Sequence, residues 1–234
     1  MKVTAENITM RFFRKTGQAN YFAALNQVTL TLAPGAVTVL MGRSGSGKTT
    51  LLHILAGLLP PTEGTVTLDG QNLYALADGP LSRLRSLQIA VVPQGRSLLD
   101  TLTVRENLLL PAMLCKQVPD IQAAEQASED LEISGLMDAY PAELSGGELR
   151  RAAIARALIQ PGKLLLADEP TGDLDDHNTQ NVLNLFRAAA HRDGKTVLLV
   201  THENEALAYA DRAFRLDAGK LSEYSGNHEN GRRI

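Results

Sequence analysis

Apolar and polar positions along the chain fall into two regimes. In the first third, Val28–Leu32, Ala36–Met41 and Thr65–Leu68 read as short β-type segments. Gly35 and the Asp69-Gly70 pair supply turn chemistry between them. Between Met41 and Leu51 the pattern changes from strand to helix through a glycine-rich turn, which predicts a helix over Thr50–Leu59. Residues Leu81–Leu149 read mostly helical, and Pro111, Pro119 and Pro141 are expected to cut that region into short pieces. Lys163–Ala167 and Thr196–Thr201 are almost wholly apolar, as strands buried on both faces are. The helical stretch between them suits a parallel crossover. An α/β core with a helical insertion follows. Glu223–Ile234, polar with two glycines, is expected to fray as a flexible tail.

Composition narrows the class. With 234 residues and 44% hydrophobic content, one large domain, or a domain plus a subdomain, can bury a full core without disulfides. The formal net charge of -3 offers no global basic field, so nucleic acid is not an expected partner. One cysteine, Cys115, excludes an internal disulfide or a cysteine-ligated metal and suits a reducing cytoplasm; a small apolar filler is its expected role. Met1–Arg11 shows no signal-peptide pattern. No apolar run approaches the roughly 18–20 residues that span a bilayer. The longest, Leu51–Leu59, contains His53 and Gly57 and stops at Pro60-Pro61. If membranes matter, the spanning part belongs to another polypeptide.

The glycine-rich turn carries the first chemistry. Gly42-Arg43-Ser44-Gly45-Ser46-Gly47-Lys48-Thr49 fits the phosphate-loop pattern G-x-x-x-x-G-K-[ST] in full, between an apolar run and the predicted helix. Glycines let the backbone wrap phosphates, and successive N–H groups with the positive helix end face the anion. Lys48 can neutralise the outer phosphates of ATP, the Thr49 hydroxyl can ligate Mg²⁺, and Thr50 opens the helix. Leu164–Glu169 is an apolar strand ending in two carboxylates, at a strand tip where α/β folds place ligands. Asp168 would hold Mg²⁺, directly or through water, and Glu169 could polarise the attacking water. Alone, such an acidic pair would more often be a helix cap or loop; beside a phosphate loop it reads as catalytic.

A phosphate loop settles nucleotide chemistry but not purpose. The deciding segment is Leu144-Ser145-Gly146-Gly147-Glu148 with Leu149–Leu158 after it, which resembles the signature motif and signature helix of ABC-type ATPases. Other elements of that family follow in family order. Gln94 stands at a strand end after Ala90-Val91-Val92-Pro93. Thr171–Asp175 lies where the family has its D-loop, and His202 where it has its switch histidine. The resemblance covers about Val3 to Leu221. It implies a single ABC-type ATP-binding domain over residues 1–222, with an N-terminal antiparallel β region and a helical subdomain at about 81–157.

The resemblance also implies roles. Two chains would close head to tail on two ATP molecules. Lys48, Thr49, Gln94, Asp168, Glu169 and His202 would act from one protomer, with Glu169 as the base and His202 on the γ-phosphate. Gln94 would contact Mg²⁺ or water. Ser145, Gly146, Gly147 and the D-loop residue Asp175 would serve the ATP held by the other protomer. An aromatic residue usually stacks on adenine; Phe12 lies at the matching place, with Phe13 and Tyr21 as competitors and a buried core role as the plain alternative.

Several runs resemble the subgroup of lipoprotein-releasing and macrolide-exporting ATPases: Ala167–Gly172, Arg105–Leu108 with Leu110-Pro111, and Tyr140–Glu143. Asp173 and Glu203 depart from its usual Asn and Asp. What this implies is an ATPase subunit at the cytoplasmic face of the cell membrane, energising a separate transmembrane permease. The rival is a soluble ABC-type ATPase of repair or translation. Its inserted coiled coils or second nucleotide domain have no counterpart in this sequence.

Overall fold

The computed structural model describes residues 1–13 and 21–224; of the expected tail, all but Glu223 and Tyr224 lie outside the described residues. The chain opens with a meander: β1 (Val3–Phe13), β2 (Tyr21–Leu32), β3 (Val37–Met41), helix α1 (Lys48–Leu55), β4 (Glu63–Leu68) and β5 (Gln71–Asn72). Next come α2 (Asp78–Gln88), β6 (Ile89–Val92), α3 (Val104–Leu114), α4 (Ile121–Asp130) and α5 (Gly146–Leu158). It ends with β7 (Leu164–Asp168), α6 (Asp176–His191), β8 (Thr196–Thr201), β9 (Arg212–Asp217) and β10 (Lys220–Glu223).

Two sheets result. One is antiparallel with order β2-β1-β4-β5. The other has order β10-β9-β3-β8-β7-β6, parallel from β9 to β6, with β10 antiparallel at its edge. Both faces of the parallel sheet are covered, which is why β3, β7 and β8 read as unbroken apolar runs. Leu164 and Leu166 pack with α1 and the antiparallel sheet. Their neighbours Leu165 and Ala167 pack on the opposite face with α3, α5 and α6. Each such fully buried leucine contributes roughly 1.5–3 kcal/mol.

Four details differ from the pattern expectations. β1 carries bulges between Ala5 and Met10, with Asn7 at φ 52, so its inward residues do not alternate and the segment lacks a period of two. Pro111 does not cut a helix: it sits inside α3. That helix starts with a Thr103/Glu106 capping box and buries Val104 and Leu108. Asn107, four residues before the proline, is anchored by donating to the carbonyls of Leu99, Leu102 and Thr103. Packing and capping thus outweigh the backbone bond that proline removes. Glu223 is not frayed; it ends β10, opposite Phe214. The span 81–157 also contains β6, which belongs to the parallel sheet, so the wholly helical part lies from α3 to α5.

Candidate nucleotide site

The phosphate loop runs from the end of β3 into α1. Gly47, the N-cap of α1, has φ 103, and a Cβ there would lie 2.4 Å from the Ala24 carbonyl. Only glycine fits both the dihedral and the close approach. Gly42 is constrained by close approach alone, with a Cβ position 2.5 Å from the Leu216 carbonyl. No side chain caps α1, and no acidic residue stands in its first turn. Its leading N–H groups are thus left for an anion.

Lys48 is buried. Its Nζ donates to the carbonyls of Gly42 (2.7 Å) and Arg43 (3.2 Å) and lies 3.5 Å from Glu169 Oε1. The Thr49 hydroxyl donates to Asp168 Oδ2 at 2.7 Å. Burial pushes the Asp168 carboxyl above the usual range, an effect the Thr49 hydrogen bond partly opposes. Asp168 Oδ1 and Ser46 Oγ are buried polar atoms with no hydrogen-bond partner among the described residues.

Glu169 follows the tip of β7 in a left-handed conformation, φ 48. Its N–H donates to the Val200 carbonyl (2.7 Å). Its Oε2 accepts from the His202 ring Nδ1 at 2.9 Å and from the His202 N–H at 3.3 Å. A carboxylate held between an ammonium and an imidazole, at the edge of a phosphate loop, is placed to hold or take a proton. Glu203, the longer residue after His202, accepts from the Thr171 hydroxyl.

One open cavity of about 1000 Å³ brings Arg43, Ser44, Gly45, Gly47, Lys48, Thr49 and Thr50 together with Gln94, Glu169 and His202, while Gly42, Ser46 and Asp168 do not line it. Phe12 lines it as well, while its competitors Phe13 and Tyr21 pack edge-on against each other with ring centroids 5.7 Å apart. Phe22, Ala24, Gly95 and Arg150 line the cavity too and escaped the sequence reading. Phe22 stands opposite Phe12 in the β1–β2 register, a pairing visible only once the hairpin register is known. Arg150, on α5, is buried and looks in sequence like any arginine of a surface helix. Burial lowers its pKa, an effect that Asp173, Asp168 and Glu169 partly offset.

Ser145, Gly146, Gly147 and Asp175 do not line this cavity. Ser145 caps α5: its Oγ accepts from the Glu148 N–H (3.3 Å), and Glu148 Oε2 accepts from the Ser145 N–H and hydroxyl at 2.7 Å each. Asp175 caps α6 by accepting from the Asn178 N–H at 2.8 Å, which holds its carboxyl below the usual range. The start of α5 lies close to the segment ahead of α6: a Cβ on Gly147 would sit 3.4 Å from the Asp173 carbonyl.

A phosphate loop, paired strand-tip carboxylates and a capped glycine turn on a parallel sheet define a P-loop ATPase of the cassette type. The family model for "ABC transporter" matches residues 25–172. A lipoprotein-releasing system ATP-binding protein, LolD, of Shewanella frigidimarina is 42% identical over 84% of this chain and 83% of its own length. The macrolide export ATP-binding/permease protein MacB of Aggregatibacter actinomycetemcomitans is 38% identical over 86% of this chain, which spans 32% of that longer protein. Among solved structures, the bacterial ABC transporter cassette MJ0796 superposes with a TM-score of 0.87 at 32% identity, over 96% of this chain and 99% of that one. It has been solved as a dimer, including a post-hydrolysis state bound to ADP and Pi. The chain belongs to the ABC transporter family as an ATP-binding and ATP-hydrolysing subunit.

Proposed function

We propose that two copies of this chain close head to tail on two ATP molecules, and that closure and hydrolysis drive a separate transmembrane permease from the cytoplasmic face of the membrane. The observation that carries this reading is the separation of two phosphate-binding features. Lys48, Thr49, Gln94, Glu169 and His202 share one cavity, and Ser145-Gly146-Gly147 lies outside it. A second cradle that cannot reach its own chain's phosphate is suited to a partner's.

Within one site, Lys48 and the α1 N–H groups bind the phosphates, Phe12 faces the base, and Glu169 receives a proton from water as the water oxygen bonds to the γ-phosphorus. The bond to the bridging oxygen then breaks, and ADP and phosphate leave. His202 and Lys48 hold Glu169 in line. The residues fit Mg²⁺, since Asp168 Oδ1 is a hard oxygen donor, buried and without a partner, beside the Thr49 hydroxyl. Thr49, Asp168 and Gln94 would hold the ion, which supplies charge neutralisation on the phosphate oxygens. Among the described residues no helix is long and apolar enough to cross a membrane. Similarity to LolD and to the ATP-binding/permease protein MacB supports a permease partner of the export or lipoprotein-releasing type.

Glu169→Gln tests the reading. With ATP it should run at dimer mass by light scattering and hydrolyse little, and, tagged in solubilised membranes, it should co-purify with a multi-span protein. A monomer with ATP overturns the head-to-tail arrangement; recovery of soluble proteins alone overturns the permease.

A further inference from the structure

The signature helix α5 reaches the backbone of Glu169 in its own chain through one buried side chain. Arg150 is 5% exposed. Its guanidinium donates to four carbonyls: Pro93 (2.6 Å), Asp168 (2.6 Å), Pro170 (3.2 Å) and Glu169. Arginine stays charged even when buried, and its planar fork suits several acceptors at once. Desolvating it is costly, so its place here rests on those carbonyls.

What the carbonyls belong to matters. Glu169 is a non-glycine residue at positive φ, a conformation that persists only where its surroundings impose it. Its N–H is held by Val200 and its carbonyl by Arg150, so the peptide bearing the base is pinned from both sides. Pro93 immediately precedes Gln94. Further along the same helix, Arg156 donates to the Ser97 carbonyl (2.8 Å) and hydroxyl (2.9 Å). The loop carrying Gln94 is therefore fastened to α5 on both flanks. One rigid helix begins at Ser145-Gly146-Gly147 and ends holding two elements that hydrolysis requires.

We propose that Arg150 is a positioning residue that makes the two nucleotide sites of the closed dimer interdependent. Contact of Ser145-Gly146-Gly147 with the partner's ATP sets α5, and Arg150 carries that setting to Glu169 and Gln94 of its own site. The inference rests on the head-to-tail reading above and adds the route by which each site senses the other.

The test uses the full chain with ATP and Mg²⁺. Steady-state turnover is followed against ATP concentration for the parent, Arg150→Met and Arg150→Lys, with nucleotide affinity measured separately. The parent should give a Hill coefficient above 1. Arg150→Met should lose tenfold or more in kcat with a Hill coefficient of 1, while ATP affinity stays within twofold and Glu169→Gln/Arg150→Met still dimerises. Arg150→Lys, with one ammonium for four carbonyls, should recover part of the kcat and part of the cooperativity. A merely structural arginine would lower kcat and leave the Hill coefficient at the parental value, which overturns the proposal, as does a non-cooperative parent that dimerises. If the Met variant fails to fold, the Lys variant decides by the same readouts, and parental values in it overturn the proposal. If Glu169→Gln alone stays monomeric with ATP, the head-to-tail reading falls and the relay with it; a dimer with unchanged cooperativity in the Arg150 variants sinks the relay alone.

Discussion

The amino ends of α1 and α5 both follow glycine-rich turns, yet they are finished differently. At α1 the N-cap is Gly47, no side chain caps the turn, and Lys48 adds a positive charge. At α5 the N-cap Ser145 and Glu148 satisfy each other, and the Ser145 bonds hold the Glu148 carboxyl below its usual range. The first helix leaves its N–H groups for an incoming anion. In the second, the Ser145 and Glu148 N–H groups are taken by those two side chains, and a carboxylate stands at the helix end. Negative charge at a helix amino end is worth about 0.3–1 kcal/mol, so Glu148 competes directly with a phosphate there. On the head-to-tail reading proposed above, this difference would give the two cradles an order, with α1 taking ATP first and α5 acting on an ATP that a partner presents.

The widest break in that comparison should come from a pair of substitutions. Lys48→Ala should lose nucleotide affinity and about 10²–10³-fold in kcat, the scale seen when one charge-stabilising donor is removed. Ser145→Arg should lose turnover on the same scale while ATP affinity stays near parental. Equilibrium binding beside steady-state turnover separates them; equal loss of affinity in both would make the two cradles one site. Next in size is Glu148→Gln, which keeps the capping geometry and removes the charge. In the Glu169→Gln background it should lower the ATP concentration for half-dimerisation by roughly two- to fivefold, the equivalent of 0.3–1 kcal/mol. An increase in that concentration would show that the carboxylate assists closure.

The smallest effect concerns stability. The Asp168 carboxyl is raised in the fold because it is buried, so the folded chain binds that proton more tightly than the unfolded chain does. Stability therefore falls as pH rises from about 3.8 through the folded value, and the cost is in full force at neutral pH. Asp168→Asn cannot ionise. In metal-free buffer at pH 7 it should melt above the parent, by about 2–4 °C for each kcal/mol relieved in a chain of this size. The gap should close on acidification; a gap that persists at low pH would trace the gain to packing instead.

How legible the molecule was in its sequence depended on where each signal originates. β3, β7 and β8 announce themselves because both faces of the parallel sheet are dry, and the phosphate loop because its glycines answer to backbone geometry. β1 hid behind its bulges. β9 is short, with exposed residues between buried ones, β10 has no buried residue, and neither gave an apolar run. Pro111 misled because proline reports a local cost, while the helix around it is held by tertiary contacts. The site residues within the cavity were readable as motifs. Arg150 was not, because its partners are backbone carbonyls from two distant segments and leave no side-chain pattern. Phe22 needed the hairpin register. Order along the chain identified the two cradles; only geometry showed that one is closed by its own serine and glutamate.

The turn between β9 and β10 reaches back to the phosphate loop: the Gly219 N–H donates to the Ser46 carbonyl (3.2 Å), and the Gly219 carbonyl accepts from Asn26 (2.9 Å). A Cβ on Gly219 would lie 2.8 Å from the Ala24 carbonyl, so this closure is as tight as the loop it braces. During synthesis the loop at Gly42–Thr49 leaves the ribosome early and the residue that braces it leaves late. At about 5–20 residues per second the nascent chain spends many seconds carrying its phosphate-binding sequence without the brace. The phosphate loop is thus made early and braced late, by a hairpin more than a hundred residues further along the chain.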